Sequence, residues 1–163
     1  MLSNAMHKAL NEHMTAEFYA AYLYLSMAAH FEHENLPGMA AWMHKQAAEE
    51  LEHAMKFFHY LNERGGKVTL QALEQPAGSW SSPLAVFKDA LKHEQFVTGR
   101  IHHLVDMAQQ EKDFGTVNFL QWFVAEQIEE EAQVEPIVAR LEMAGDHPNA
   151  LFFMDRELGS RED

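Results

Sequence analysis

The sequence predicts an all-α protein: a four-helix bundle with one long crossover between its second and third helices and a short fifth helix near its C-terminal end. Four long segments place apolar residues at alternating steps of four and three, the spacing of a helix seam that faces a core. Turn signals separate these segments, and only one connection between them is long. The chain of 163 residues is expected to form one domain, 1–163, with the bundle over 4–144.

The first part of the chain predicts two long helices joined by a short turn. Helix α1 is expected from about residue 4 to 33, with Ser3 as its N-terminal cap. The Asn-Leu-Pro-Gly sequence at 35–38 then interrupts it. Helix α2 follows over about 38–65, where the Gly-Gly pair at 65–66 is a strong signal for a helix C-terminus. A turn this short predicts an antiparallel hairpin.

Residues 66–82 contain proline, glycine and serine without any helical period, so they predict a long irregular connection. Ser82 and Pro83 mark the start of helix α3, with a capping serine followed by proline at the first helical position. This helix is expected to end near residue 112. About 17 residues can span up to ~56 Å, whereas a helix of about 28 residues is about 42 Å long. The connection can therefore cross the whole bundle, which would make α2 and α3 parallel.

The last part of the chain predicts a second hairpin and a short final helix. A turn at 113–115 leads to helix α4, expected over about 116–144 and ended by Gly145. Pro136 lies inside this segment and removes one backbone hydrogen bond, which predicts a kink. A fifth helix, α5, is expected over 148–158, and its apolar residues need a partner surface because so short a helix is not stable alone.

Each long seam contains an acidic residue near its middle. One such glutamate is most simply a flanking residue assigned to the wrong face, but four at matching heights favour a common layer. The predicted topology brings Glu17, Glu50, Glu94 and Glu130 to one level of the bundle. The seam residues, helix by helix, are Leu10, Met14, Glu17, Ala21, Tyr24, Ala28 and Phe31; Met43, Ala47, Glu50, Ala54, Phe57 and Leu61; Phe87, Leu91, Glu94, Thr98, Ile101 and Val105; and Leu120, Phe123, Gln127, Glu130, Val134, Ile137 and Leu141.

A metal ion would explain these inward acids, because burying an unpaired carboxylate costs several kcal/mol. His53 lies one turn after Glu50, so the two side chains can reach a common point. Two divalent cations would neutralise the four glutamates of the layer. The sequence therefore predicts a two-metal site in which Glu50 bridges the ions and His53 completes the shell of one. Carboxylate oxygens with a single imidazole suit iron(II) or manganese(II) better than copper.

Two other seam residues are candidates for supporting roles. Gln127 lies one turn before Glu130 and could orient that carboxylate or bond a bound oxidant. Tyr24 lies one heptad after Glu17 and could bond it or donate an electron to the metal site. The alternative for Tyr24 is an ordinary core position, which is the usual place for an aromatic residue on such a stripe.

A second acidic cluster is expected beside the first. Glu126, Glu129 and Glu130 are spaced three and four residues apart on α4, and Glu49 precedes Glu50 on α2. Adjacent residues on a helix point about 100° apart, so Glu49, Glu126 and Glu129 should lie at the edge of the main site. They predict a third metal site there. The alternative is a solvated run of charge.

Composition narrows the possible partners. The formal net charge is −13, which disfavours nucleic acid and suits a protein that gathers cations. There is no cysteine, so thiolate metal sites and disulfides are excluded. No apolar run predicts a signal peptide or a membrane span, and a cytoplasmic location without a membrane partner is expected. The histidines other than His53 show no paired ligand spacing and are expected mostly at the surface.

The motifs together resemble the ferritin-like di-iron proteins, and the closest likeness is to the bacterial non-haem ferritins. These di-iron proteins are bundles with a long crossover and inward glutamates. The stretch over 151–158 is similar to the short fifth helix of that family. The other matching positions are Glu17, Tyr24, Glu49, Glu50, His53, Glu94, the Asn-Phe-Leu-Gln-Trp stretch at 118–122, Glu126, Gln127, Glu129 and Glu130.

This resemblance implies an iron storage protein with ferroxidase activity. Glu17, Glu50 and His53 would hold one iron(II), and Glu50, Glu94 and Glu130 the other. The bacterial members imply a third site formed by Glu49, Glu126, Glu129 and Glu130. Dioxygen or hydrogen peroxide would oxidise the iron, and ferric oxide would collect inside a homo-oligomeric shell of twenty-four subunits.

Two other functions remain open from the sequence. Helix α4 carries Gln127 and Glu130 where the general pattern has a second Glu-x-x-His motif, which resembles ferritins more than bacterioferritins and predicts no haem. One alternative is a non-storage di-iron oxidase or peroxidase of the rubrerythrin kind, although the lack of cysteine excludes a rubredoxin-type site. The other is a helical interaction protein whose polar core layer fixes the register of the helices.

Overall fold

The computed structural model describes residues 1–161, and these form five helices with no strand among them. Helix α1 spans Asn4–His33, α2 Pro37–Glu63, α3 Pro83–Gln110, α4 Phe114–Ala144 and α5 Pro148–Gly159. The predicted all-α fold class is confirmed. The last two residues of the predicted domain, 162–163, lie outside the described residues. Within residues 1–161, no helix combines the length and apolarity needed to cross a membrane.

Side-chain caps fix where three of the helices begin. Ser3 Oγ accepts a hydrogen bond from the backbone N–H of Met6 at 3.0 Å, so α1 begins where predicted. Ser82 caps α3 in the same way. Helix α4 begins at Phe114 rather than near residue 116, because the Asp113 carboxylate accepts the Thr116 N–H at 3.2 Å and caps an earlier turn.

The other differences from the predicted bounds are small. Helix α2 ends at Glu63 rather than near 65, because Gly65 already adopts a left-handed conformation with φ of 75°. Only glycine takes this conformation without a steric cost, so the Gly-Gly pair does end the helix. Helix α3 ends at Gln110, and α4 continues through Pro136 as one helix.

The connection between α2 and α3 runs beside α1 along most of its length. Near its start, Thr69 exchanges two hydrogen bonds with the Asn11 side chain, at 2.8 and 2.9 Å. Near its end, the Trp80 ring lies against His30, with 5.3 Å between ring centroids. These α1 contacts are about 28 Å apart along the helix axis. The crossover therefore carries the chain from one end of the bundle to the other, and α2 and α3 are parallel as predicted.

The core consists of two apolar clusters with a polar layer between them. One cluster contains Phe31 and Phe87, and the other contains Phe57 and Phe123. The predicted seams of α1, α2 and α4 are buried throughout. Tight apolar packing above and below the layer excludes water from its acids and fixes their positions.

The predicted seam of α3 is wrong at three positions, because the helix is turned slightly relative to that stripe. Leu91, Thr98 and Val105 are only partly buried. Fully buried positions of α3 that the sequence analysis did not select are Val86, Ala90, Val97, Leu104 and Ala108. Glu94 and Ile101 belong to both stripes, so the position of the α3 acid was predicted correctly.

Helix α5 packs on α2 of the same chain. Met154 and Leu158 are buried in this contact, which supplies part of the partner surface that the short helix requires. Phe152 and Phe153 remain 65% and 63% exposed. The apolar face of α5 is therefore only half covered by its own subunit.

Candidate metal centre

The four predicted acids lie in the interior of the bundle, one on each long helix. Glu17, Glu50, Glu94 and Glu130 are at most 2% exposed. Each of the four lies in the electrostatic field of at least one other, because the charges of Glu17, Glu94 and Glu130 all raise the pKa of Glu50. The acids therefore form the common layer that the topology predicted.

The first candidate ion site lies between α1 and α2. Ligand atoms of Glu17, Glu50 and His53 all lie within 4.8 Å of one another, and His53 Nδ1 is 3.2 Å from Glu50 Oε2. Within residues 1–161, Glu17 Oε2 is buried and accepts no hydrogen bond from an N–H or a hydroxyl group, although a protonated Glu50 can bond the Glu17 carboxylate. A buried carboxylate oxygen without a partner is unfavourable unless a cation binds it. Two carboxylates and one imidazole in this arrangement suit iron(II).

Glu94 is held by side chains from the two neighbouring helices. The Tyr24 hydroxyl donates a short hydrogen bond to Glu94 Oε1, and Gln127 Nε2 donates to Glu94 Oε2 at 3.2 Å. Two suggestions from the sequence are therefore wrong, since Tyr24 does not bond Glu17 and Gln127 does not orient Glu130. Tyr24 lies two turns from Glu17 along α1, and its long side chain reaches α3 instead.

Glu130 is positioned by a residue that the sequence analysis missed. Gln46 Nε2 donates to Glu130 Oε2 at 2.8 Å, and Gln46 is fully buried. Gln46 lies one turn before Glu50, and a polar residue at that spacing from a seam acid was the available signal.

His13 is the second missed residue, and it is the exception to the expectation that histidines other than His53 lie mostly at the surface. It is fully buried, and its Nε2 lies 2.7 Å from Glu17 Oε1. The Arg100 Nε lies 3.4 Å from the other ring nitrogen, Nδ1. His13 precedes Glu17 by one turn, so the i,i+4 spacing of the pair was the signal. The imidazole occupies one Glu17 oxygen and leaves Oε2 for an ion.

Burial and mutual repulsion raise the pKa of three of the acids. Loss of water and the charge of Glu94 raise the pKa of Glu130 to about 8, despite the hydrogen bond from Gln46. Loss of water also raises the pKa of Glu94 to about 7, against the hydrogen bonds from Tyr24 and Gln127. The pKa of Glu50 is raised well above its ordinary value by burial and by the surrounding carboxylates. Near neutral pH the layer without an ion therefore holds protons.

Glu17 behaves in the opposite way. Burial alone would raise its pKa, but attraction to His13 and the hydrogen bond with it outweigh the loss of water and lower the pKa. Burial also lowers the pKa of His53, against the attraction of Glu17 and Glu126, which favours the neutral imidazole. A charged carboxylate and a neutral imidazole are the forms that bind metal ions.

The second acidic cluster is only partly assembled. Ligand atoms of His53, Glu126 and Glu130 lie within 4.8 Å of one another and could hold an ion. Glu129 is exposed and does not belong to this group. Glu49 is also outside it, and both of its carboxylate oxygens accept hydrogen bonds from Arg161.

Comparison with known proteins gives consistent similarities over the chain. Residues 7–144 match the profile of the ferritin-like domain. The chain is 42% identical to the bacterial non-heme ferritin of Staphylococcus aureus strain MRSA252, over 99% of this chain and 97% of that protein. It is 41% identical to the same protein of Staphylococcus saprophyticus, over 99% and 96% of the two chains. The structure of an open pore ferritin from the hyperthermophilic archaeon Archaeoglobus fulgidus superposes with a TM-score of 0.98, at 53% identity over 99% of this chain and all of that one.

Proposed function

Because the chain belongs to the ferritin family, we propose that it is an iron storage protein that oxidises iron(II) at the buried carboxylate layer. The observation that carries this proposal is the layer itself: four acids from four helices, almost completely shut off from solvent, with His53 beside them. Without a cation this arrangement costs folding free energy, so its presence favours a binding function.

The residues of the layer divide between two ions. Glu17, Glu50 and His53 bind the first iron(II), and Glu50, Glu94 and Glu130 bind the second, so that Glu50 bridges the pair. Binding displaces the protons that Glu50, Glu94 and Glu130 hold near neutral pH. The layer with two divalent ions is then neutral.

The reaction removes one electron from each iron(II) ion. Dioxygen takes up two such electrons and two protons to give hydrogen peroxide, or hydrogen peroxide takes up the same number to give two water molecules. Tyr24 and Gln127 hold Glu94, and Gln46 holds Glu130, so the second set of ligands stays in place as the charge on the metal rises. Because its hydroxyl bonds Glu94, Tyr24 is close enough to the second ion site to supply one electron to the oxidant in place of one of the iron(II) ions.

Storage requires assembly, and we propose that the subunits form a hollow shell of twenty-four copies that encloses ferric oxide. The half-covered face of α5, with Phe152 and Phe153 exposed, supports a contact with other subunits. A third iron site at the edge of the main pair would use Glu49, Glu126, Glu129 and Glu130, of which Glu126 and Glu130 already lie close together beside His53. The protein acts in the cytoplasm, and neither haem, nucleic acid nor a membrane takes part.

The direct test is to add iron(II) in air to the metal-free protein and then to size the product and count its iron. Storage predicts oxidation much faster than in buffer alone, and a hollow particle that retains far more iron than its sites can bind. Oxidation no faster than in buffer, with the iron precipitating outside the protein, would reject the proposal.

The second candidate is a non-storage di-iron oxidase or peroxidase of the rubrerythrin kind, which the same buried layer would serve. The half-covered α5 face favours the shell over this alternative. The same experiment separates them, because the non-storage enzyme would oxidise iron(II) without retaining more than the ions bound at its sites.

A further inference from the structure

Arg161, which follows α5, is held against the acidic edge of the bundle by a close contact between α2 and α5. The helices approach so tightly at Gly38 that a Cβ atom there would lie 1.8 Å from the backbone oxygen of Asp155. The Asp155 carboxylate also accepts the backbone N–H of Met39 at 2.8 Å. This contact leaves α5 no freedom to shift along α2. It therefore determines where the chain goes after Gly159.

This contact between α2 and α5 places Arg161 against α2. Its Nη2 donates to both oxygens of Glu49, at 2.8 and 3.1 Å, and its Nη1 donates to Gln46 Oε1 at 2.6 Å. The guanidinium carbon lies 5.2 Å from the centre of the Trp42 ring, and Lys45 Nζ bonds the backbone oxygen of Arg161. The Arg161 side chain is 17% exposed and that of Glu49 is 37% exposed, so the pair is partly shielded from water. One guanidinium nitrogen bridges both carboxylate oxygens, and a hydrogen bond between charged groups is stronger than one between neutral groups.

The Arg161 guanidinium bonds to the Glu49 carboxylate, which a third iron ion would need as a ligand. Both Glu49 oxygens are engaged, and the group of ligand atoms that lie close together near this edge contains His53, Glu126 and Glu130 without Glu49. A divalent ion at Glu49 would have to displace the arginine or lie beside its positive charge. Either costs free energy that the two main sites do not incur.

Arg161 also acts on the main layer through Gln46. Because the amide oxygen of Gln46 accepts from Arg161, the amide nitrogen is turned toward Glu130, to which it donates at 2.8 Å. Glu130 is a candidate ligand of both the second and the third ion. The arginine, the amide and the carboxylate therefore form a single chain of hydrogen bonds from the end of α5 to the metal layer.

We propose that Arg161 is a specificity-determining residue that sets how many metal ions each subunit binds, by taking the place of a cation at Glu49. A third ion and the guanidinium compete for that carboxylate, whereas the two main ions do not meet this competition. The inference rests on the proposed function, because it assumes that the layer and its edge bind iron(II).

The test is a calorimetric titration of the assembled, metal-free protein with zinc, which is not oxidised. Arg161→Gln keeps an amide able to bond Gln46 but removes the charge, and Arg161→Lys keeps the charge. We expect the third zinc ion to bind about tenfold more tightly to the Gln variant than to the parent, with the Lys variant close to the parent. The first two binding steps should change little in either variant.

Two controls separate competition from a structural effect. Arg140→Gln removes another arginine that pairs with a carboxylate, that of Glu157 on α5, away from the acidic edge, and should bind zinc as the parent does. Glu49→Gln combined with Arg161→Gln should lose the gained affinity, since the freed carboxylate is gone. An unchanged third step in Arg161→Gln, or a gain that survives the loss of Glu49, would overturn the proposal.

The same titration reports separately on the proposed function. Two tight zinc ions per subunit in the parent support the two-metal site whatever Arg161 does. If the parent instead bound no zinc at the main layer, the proposed function would fail, and the inference about Arg161 with it. A variant that no longer assembles is recognised by its particle size. The comparison then depends on Arg161→Lys, which should still assemble and should still bind the third zinc ion weakly.

Discussion

His13 Nε2 lies 2.7 Å from Glu17 Oε1, and both side chains are buried. An imidazole therefore supports one oxygen of a proposed iron ligand, while within residues 1–161 the other oxygen, Oε2, accepts no hydrogen bond from an N–H or a hydroxyl group. His13 thus hydrogen-bonds to a proposed metal ligand and is not a ligand itself. Such a hydrogen bond fixes the orientation of the Glu17 carboxylate and directs its other oxygen toward the ion. It also explains why the pKa of Glu17 is lowered while burial raises the pKa of the other three acids.

We therefore predict that His13→Leu weakens binding of the first metal ion by about 10–100-fold, the usual cost of losing a partner behind a ligand. In the variant, His13 would no longer offset the effect of burial, and only the weaker influences of His53 and Glu50 would still lower the pKa of Glu17. The pKa should therefore rise, so binding would also need a higher pH. Zinc titrations at several pH values measure both effects. His13→Gln, whose amide can donate to the same oxygen, is the control and should restore most of the affinity. Parent-like binding by the leucine variant at every pH would rule out this role.

The raised pKa of Glu94, about 7, makes the metal-free fold sensitive to pH. Below its ordinary value of 4.5 the carboxyl is protonated whether the chain is folded or not. As the pH rises from 4.5 to about 7, the unfolded chain releases this proton first, so the stability that Glu94 contributes is lost. Glu94→Gln cannot lose a proton. We predict that its stability relative to the parent increases over this pH window and exceeds that of the parent by about 1–4 kcal/mol at pH ~8.

Unfolding of both metal-free proteins at pH ~4 and pH ~8 checks this prediction, because these pH values lie on either side of the titration. The same substitution removes a ligand of the second iron, so fast iron(II) oxidation should be lost. Zinc should stabilise the parent more than the variant, because binding to the folded state alone raises stability. A variant that unfolds at much lower temperature than the parent at the higher pH would mean that Glu94 is satisfied by Tyr24 and Gln127 as a structural residue.

The sequence was sufficient to predict the layer of buried acids, because the predicted apolar stripes of α1, α2 and α4 are the stripes that the structure buries. On α3 the predicted stripe was displaced, since Thr98 is polar and Ala90 is small, and neither gives a clear apolar signal. The level of Glu94 in the bundle was still predicted correctly, because this residue lies on both the predicted stripe and the buried stripe of α3.

The partners of the acids were harder to predict, because they depend on how far a side chain reaches across the bundle. Tyr24 bonds an acid on another helix, and Gln46 reaches across to Glu130. The position of Arg161 depends on the docking of α5 on α2. No spacing along one helix contains that information.

The edge cluster predicts a change in stoichiometry rather than a loss of chemistry. Glu129 is exposed and lies outside the buried layer. Glu129→Ala should therefore alter the number of iron ions oxidised per dioxygen consumed, while the fast reaction of the main pair continues. An oxygen electrode combined with rapid absorbance measurements gives both quantities. Complete loss of fast oxidation would place Glu129 in the main site.

Helix α5 predicts an effect on assembly. Truncation after Gly145 removes Met154 and Leu158 from the contact with α2, together with the exposed Phe152 and Phe153. We expect a weaker shell or poorer retention of mineral, measured by particle size and by iron retained after gel filtration. A truncated protein that forms the full particle and loads it completely would show that α5 has no role in assembly.

The most direct test of the central claim is the rate of iron(II) oxidation by Glu50→Ala, followed through ferric absorbance in parallel with the parent and with Glu52→Ala as a matched control on the exposed face of α2. Glu50 is the acid that both ions are proposed to share, so its loss should affect both sites at once. The account predicts that the parent and Glu52→Ala oxidise iron(II) rapidly, while Glu50→Ala, still folded and assembled, falls by at least about a hundredfold, toward the rate in buffer. Oxidation by Glu50→Ala at the parent rate would contradict the account and move the chemistry away from the buried layer.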